Sequence, residues 1–178
     1  MQTALPDILA ERLTVVFAGI NPGLTAAATG HHFSSGTNRF WRVIHLAGFT
    51  PEELHAGHDR MILRYGYGLT TVVGRATAQA DELSVQEFAA ASASFEAKIR
   101  RYAPRFVGFL GKAAYGALTG QRDVAWGIQP AAFATATAWV LPNTSGRNRA
   151  FSDAQLVHAF RQLYLAISLA PSRPQEPS

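Results

Sequence analysis

Two short stretches hold the residues whose types and spacing could do chemistry. The first is "GINPG", Gly19 to Gly23, which ends a β-branched run with an amide, a proline and two glycines. Asn21 offers an acceptor oxygen and a donor NH₂ without charge. An amide takes up no proton near neutral pH, so Asn21 is no general base. It either holds a water or the polar edge of a ligand, or it caps a turn. Chemistry there works by positioning, on a bond already prone to break. Gly19 and Gly23 let the backbone come close to a ligand, and Pro22 stiffens the turn. The chain then runs through small residues to "GHHF", longer than a corner needs, which suggests a pocket wall. Phe33 either offers a face to a planar ligand or joins the core. His31 and His32 are adjacent and cannot chelate as a helical i, i+4 pair. They are read as loop or phosphate-facing residues, and no metal is expected.

The second stretch is "PNTSGRNR", Pro142 to Arg149. A small cationic loop at a strand end can grip a phosphate backbone or push a residue into a base stack. Its "NTS" matches a glycosylation sequon, which carries no meaning without secretion. A third, weaker signal is Gly111-Lys112, where a strand passes into a helix. A helix N-terminus plus a lysine is a candidate phosphate clamp. The full P-loop pattern is missing, so nucleoside triphosphate hydrolysis is not expected.

These stretches need elements to position them. Arg12 to Ala18 reads as a buried strand. Asn38 to Gly48 reads as a helix with Gly48 just past its end. Thr50 to Glu53, "TPEE", reads as a helix start, with Leu54, Met61, Ile62 and Tyr65 on one face. A short strand is expected near Leu69 to Val73, then a surface loop. Ser84 and Glu87 form a capping box ahead of Val85, Phe88, Phe95, Ile99 and Tyr102, and Pro104 ends that run. Phe106 to Gly111 is the next strand, followed by a short helix closed by Gly120. Phe133 to Pro142 is strand-like, in one or two segments. Ser152 and Gln155 cap a last helix that buries Leu156, Phe160, Leu163 and Ile167. The alternation predicts an α/β fold: three α/β/α layers around a mostly parallel central sheet. Ligand sites in such sheets lie beyond the carboxyl ends of the strands, where both marked loops fall. One domain is expected over 1–170, and 171–178 read as a polar, proline-rich, disordered tail.

Composition narrows the classes. The 178 residues are 48% hydrophobic and 16% charged, a globular balance. Sixteen Lys plus Arg against 12 Asp plus Glu leave a net charge of +4, most of the positive charge being Arg. This fits either a phosphate-bearing partner or an ordinary solvated surface. Without cysteine there is no disulfide, thiolate nucleophile, Cys-ligated zinc or iron–sulfur cluster. No secretory signal or membrane-spanning apolar run is visible. The expected location is cytoplasmic, on the nucleoid if the source is bacterial.

From about Leu13 to Leu165 the chain resembles the mismatch-specific uracil/thymine DNA glycosylases of the uracil-DNA glycosylase superfamily. "GINPG" followed by "GHHF…NRFW" carries the resemblance. "LPNTSGRNR" is similar to the family's second motif, and "GLT…V…R…T…EL" and "LGK.AY" lie between. The resemblance implies a monofunctional enzyme without cofactor or metal, a monomer acting on double-stranded DNA with a G·U or G·T mismatch. It would flip uracil, or a mispaired thymine, out of the helix and hydrolyse its glycosidic bond. The abasic product would pass to downstream abasic-site repair enzymes. By the same resemblance, Asn21 positions the water and Phe33 stacks on the base. Main-chain N–H groups near Ile20 and Phe33, with the Asn143 side chain, stabilise the departing anion. Ser145 joins the DNA-binding residues, and Gly146, Arg147 and Asn148 enter the gap left in the helix and meet the unpaired guanine. Arg149 and Lys112 serve phosphate or intercalation roles, and Thr71 lies in the pocket region. Ala26 faces the base's C5 edge, where a serine would crowd a methyl group.

Departures from the family pattern are specific. Thr144 stands where relatives carry a proline, and Arg147 where some carry an apolar residue. Asn21 stands where sister families carry aspartate, which predicts slow turnover. Three rivals follow: a lesion-binding protein without catalysis, a glycosylase for hypoxanthine, xanthine or ethenocytosine, and a small-molecule α/β enzyme with an amide-lined pocket.

Overall fold

The computed structural model describes residues 4–171. Strands β1 (Val15–Gly19), β2 (Tyr67–Thr71), β3 (Phe106–Leu110), β4 (Gly127–Ile128) and β5 (Thr137–Leu141) form one sheet in the order β2-β1-β3-β5-β4. Four strands run parallel, and only β4 is antiparallel, at the edge beside β5. Helices α2 (Phe40–Ala47) and α5 (Asp153–Leu169) cover one face, and α3 (Val85–Tyr102) and α4 (Lys112–Thr119) the other. The three-layer α/β/α expectation therefore holds.

The two faces follow from the two-residue period of a strand. Val15 and Phe17 of β1 pack with Phe40, Ile44, Leu156 and Phe160, while Val16 and Ala18 pack with Phe95, Ile99 and Tyr115. Both capping boxes form: Glu87 N–H donates to Ser84 Oγ, and Gln155 N–H donates to Ser152 Oγ. Gly48 ends α2 at φ 107°.

Several local expectations fail. "TPEE" starts no helix, because Thr50 Oγ1 turns to donate to Glu52 O at 2.8 Å. A 3₁₀ segment, Ala56–Tyr65, kinked at His58, follows instead and still buries Ile62. The small-residue run after Gly23 contains a six-residue helix, α1 (Leu24–Thr29), which buries only Ala26 and Ala27 and so shows no apolar period. Strand β2 begins at Tyr67, two residues before the expected Leu69. Gly68 belongs to it because the N-terminal segment crosses there: a Cβ at Gly68 would lie 2.7 Å from Ile8 O. Phe133 to Pro142 divides in two, with a Phe133–Ala136 bridge ahead of β5. Two-residue β4 has no sequence signal. Pro171 is irregular, and the rest of the expected tail lies outside the described residues.

Candidate active site

The carboxyl ends of β1, β2 and β5 open into a cleft of about 560 Å³. Ile20, Asn21, Ala26, Phe33 and Thr71 line it from one side, and Asn143, Ser145, Arg147 and Asn148 from the other. Gly146, Arg149 and Lys112 are not part of its wall.

Asn21 leaves β1 after Gly19 and is held by hydrogen bonds that fix its orientation. Its Nδ2 donates to Arg75 O at 2.8 Å and to Thr77 Oγ1 at 2.7 Å. Thr77 Oγ1 donates to Gln79 O at 2.7 Å, so its proton is taken and it can only accept from Asn21. A carbonyl and a hydroxyl with its proton committed both demand a donor. The amide is therefore locked with Nδ2 on those two acceptors, which leaves Oδ1 without a partner among the described residues. Arg75 is held in turn, its guanidinium donating to Glu87 Oε2 at 3.1 Å and to Glu82 O at 3.0 Å. That hydrogen bond, with those from Ser84, brings the Glu87 carboxyl down to about 2.

The Asn143 amide is set the other way. Its Oδ1 accepts from Ser145 N–H at 3.3 Å, which leaves Nδ2 without a partner among the described residues. One wall of the cleft thus presents an acceptor and the opposite wall a donor. Two further donors lie on the Asn21 side, since neither Ile20 N–H nor Phe33 N–H is bonded to another described main-chain group.

Phe33 lies between the core and the cleft. Its ring stacks on Phe40 at 3.9 Å and 20°, so one face belongs to the core, and the half-buried ring still lines the cleft. Its φ of 54° is a left-handed value that favours glycine, the mark of a side chain aimed by its surroundings. His32 is not phosphate-facing. It is 2% exposed, its Nε2 donates to Pro6 O at 2.7 Å, and its N–H donates to Asp59 Oδ2 at 2.9 Å. Burial lowers its pKa, so the folded chain holds it neutral. His31 is half-exposed, with Nδ1 3.4 Å from Asp59 Oδ1.

The second loop is anchored by residues that the sequence did not mark as chemical. Arg39, at the start of α2, donates through Nη1 to Phe151 O (2.9 Å) and through Nη2 to Ser145 O (3.1 Å) and Asn148 O (2.8 Å). Its Nη1 also meets Asp153 Oδ1 at 3.2 Å. Thr144 uses its hydroxyl, donating to Asn38 Oδ1 at 2.8 Å. Gly146 is backed against Thr37, whose Oγ1 and O would each lie 2.7 Å from an added Cβ. Arg147 and Arg149 are exposed. Asn148 is tied to its own loop: its Nδ2 donates to Asn143 O at 2.9 Å and its Oδ1 accepts from Ala150 N–H. Lys112, the first residue of α4, stands outside the cleft wall. Its Nζ stands 4.6 Å over the Trp126 ring, away from the cleft. Thr77, Asn38 and Arg39 escape sequence reasoning because their partners lie far along the chain. The short spacing "NRFW" ahead of an apolar helix was the one available hint.

A solved structure of a Methanosarcina acetivorans protein, named as a candidate uracil DNA glycosylase, superposes with a TM-score of 0.61 at 21% identity. The match covers 92% of this chain and 98% of that one, and it shows the fold. The model of the uracil DNA glycosylase superfamily matches residues 6–164, a span that includes both marked loops and the strands carrying them. With that match, the chain belongs to the uracil DNA glycosylase superfamily.

Proposed function

We propose that the protein is a monofunctional glycosylase that releases uracil from G-mismatched duplex DNA and leaves an abasic site. The observation that carries this reading is the opposed setting of two amides across one cleft. Asn21 Oδ1 accepts a hydrogen from a water and turns the water's lone pair toward C1′ of the flipped nucleotide. Asn143 Nδ2 and the N–H groups of Ile20 and Phe33 donate to the uracil O2/N1 edge, where negative charge develops. The C1′–N1 bond breaks with its electron pair going to the base, and the sugar passes through an oxocarbenium-like state. The water oxygen then bonds C1′, and its proton leaves to solvent or to the departing base. Neither amide changes protonation. Phe33 covers one side of the base, by an amount of about 1–3 kcal/mol for such stacking. The loop over Ser145 to Arg149 occupies the space vacated in the helix, with Arg147 at its exposed tip.

The test is base release from a U·G duplex by the wild type and by Asn21→Ala, read under single-turnover conditions as alkali-labile strands. The wild type is expected to cleave. The variant is expected to keep its DNA affinity and lose about 10²–10³-fold in rate, the loss typical of one preorganised group. Equal rates would remove Asn21 from the reaction. A wild type that binds the duplex without cleaving U·G would leave a lesion-binding protein, or an enzyme for another base such as hypoxanthine, xanthine or ethenocytosine.

A further inference from the structure

The cleft wall includes a residue that no strand-end loop supplies. Leu5 lines it, although it precedes β1 in the chain. Sheet geometry brings it there. β2 is an outer strand, and Ile8 bridges Leu69 in the antiparallel sense, with N–H···O bonds of 2.9 and 2.8 Å. β2 runs towards the cleft, so the chain traced backwards from Ile8 climbs the same way. That register sets Asp7 beside Thr70 and leaves Leu5 past the carboxyl end of β2. Covering an outer strand is a common use for such a segment, and the Ile8 bridge does that alone.

Two further ties extend the order towards the cleft. Thr70 Oγ1 donates to Asp7 Oδ1 at 2.6 Å, and Lys98 Nζ pairs with Asp7 Oδ2 at 2.7 Å. Buried His32 donates through Nε2 to Pro6 O at 2.7 Å. A segment ahead of the first strand frays unless it is tied down, and this one is tied from β2, from α3 and from the residue before Phe33. Core packing does not account for Leu5. Ile8 and Leu9 each join one of the two cores, whereas Leu5 joins neither and stays half-buried.

A leucine held in place outside both cores, on the wall of a cleft, is apolar surface kept for a ligand. It offers nothing to the polar O2, N3 and O4 edges of a pyrimidine. It does offer dispersion contact and exclusion of water to a ring face or to the C5–C6 edge. The His32–Pro6 bond sets it near Phe33, the ring that would cover the base. A contact to a phosphate would call instead for a cation or an N–H donor. We propose that Leu5 is a base-contacting residue, and that the N-terminal segment is a built part of the base pocket, positioned by Asp7, Lys98 and His32. The proposal rests on the reading of the cleft as a pocket for a flipped base, and it adds a wall from outside the strand-end loops.

Two duplexes with the test nucleotide opposite guanine decide it. One carries 2′-fluoro-deoxyuridine, whose fluorine destabilises an oxocarbenium-like sugar and so prevents release. The other carries a tetrahydrofuran abasic analogue, which has no base to touch. The wild type is expected to bind the base-bearing duplex more tightly. Leu5→Ala is expected to weaken that duplex about tenfold, as for the loss of about two buried methylene groups, and to leave the abasic duplex unchanged. Leu5→Met keeps the apolar volume and is expected to bind as the wild type does. Lys98→Met loosens the segment and is expected to weaken the base-bearing duplex several-fold. In a Leu5→Ala background it should cost nothing further, which a merely structural lysine would not show. If Leu5→Ala leaves the base-bearing duplex unchanged, or weakens both duplexes alike, the proposal is overturned. If that variant does not fold, Lys98→Met decides: selective weakening of the base-bearing duplex supports the proposal, and unchanged binding overturns it. A wild type without preference for the base-bearing duplex overturns the uracil reading and this one together. A wild type with that preference, matched by Leu5→Ala, overturns this one alone.

Discussion

The two walls of the cleft are built by different means. Asn21 lies where strands β1 and β2 are still paired, and the pairing continues past them: Val72 N–H donates to Gly19 O and Val73 N–H to Ile20 O. Its amide is then oriented by one carbonyl and one hydroxyl. The Asn143 loop has no such ladder. It hangs largely on a single guanidinium and on the Thr144–Asn38 and Arg39–Thr144 bonds. A wall that must orient a water gains from main-chain rigidity. A loop that must enter a base stack gains from an anchor made by one side chain, which fixes its root and leaves its tip exposed.

Removing that anchor gives the largest expected effect. Arg39→Ala deletes hydrogen bonds to three loop carbonyls, and each bond from a charged donor contributes about 1.5–3 kcal/mol, not additively. A net loss near 3 kcal/mol would weaken U·G duplex binding about a hundredfold. Arg39→Lys should recover little, because an ammonium cannot span the carbonyls that the planar fork reaches together. Duplex affinity measured for both variants checks the claim. If Arg39→Ala binds as well as the wild type, the loop is held by something else and the contrast between the walls fails.

The Asn21 wall breaks differently. Thr77→Val keeps the volume and removes the hydroxyl that Asn21 Nδ2 meets. The amide then loses one of its two orienting partners and can turn. We expect about a tenfold loss in single-turnover rate, equivalent to one hydrogen bond of about 1.4 kcal/mol, with duplex affinity kept. Thr77→Ser should restore the rate. In an Asn21→Ala background Thr77→Val should cost nothing further, which a merely structural threonine would not show. Arg39 and Thr77 should therefore divide cleanly, one moving affinity and the other moving rate.

The same division explains what was legible in the sequence. The layers, the parallel order and both capping boxes follow from local patterns: alternating or continuous apolar runs, helical spacing, and Ser-x-x-Glu or Ser-x-x-Gln starts. The two loops were legible because glycine, proline and asparagine cluster after strands. The orientation of the Asn21 amide was not, since it depends on Thr77 and Arg75, more than 50 residues beyond it. Lys112 and His32 were misplaced for a related reason. Each sits in a suggestive local context, but a distant group captures it: the Trp126 ring for one, the Pro6 carbonyl for the other. "TPEE" shows that even a strong helix-start pattern yields when the threonine hydroxyl finds a nearer acceptor.

A smaller effect concerns specificity on the rigid wall. Ala26 lines the cleft from α1 and is 7% exposed, so a side chain there has little room to move aside. Ala26→Ser adds a hydroxyl on the side that would face the base's C5 edge. Exclusion of one methyl group is worth about 1–3 kcal/mol. The ratio of U·G to T·G release should therefore rise by about tenfold, with the U·G rate nearly unchanged. An unaltered ratio would mean that C5 faces another part of the cleft.

The smallest expected effect tests how firmly that wall is tied to the rest of the chain. His32 joins the residue before Phe33 to the N-terminal segment through Pro6 O, and it is held neutral with a pKa below its ordinary value near 6.5. The unfolded chain takes up a proton there as pH falls through about 6.5, whereas the folded chain does so only at lower pH. Because the unfolded state binds more protons in that window, stability must fall as pH drops from about 7 towards the lowered folded value. His32→Gln keeps a donor for Pro6 O and removes the titration. The decline in Tm between pH 7.5 and 5.5 should be shallower in the variant than in the wild type. Parallel declines would mean that other groups set the acid sensitivity, and that the Phe33 side of the cleft does not depend on a neutral imidazole beneath it.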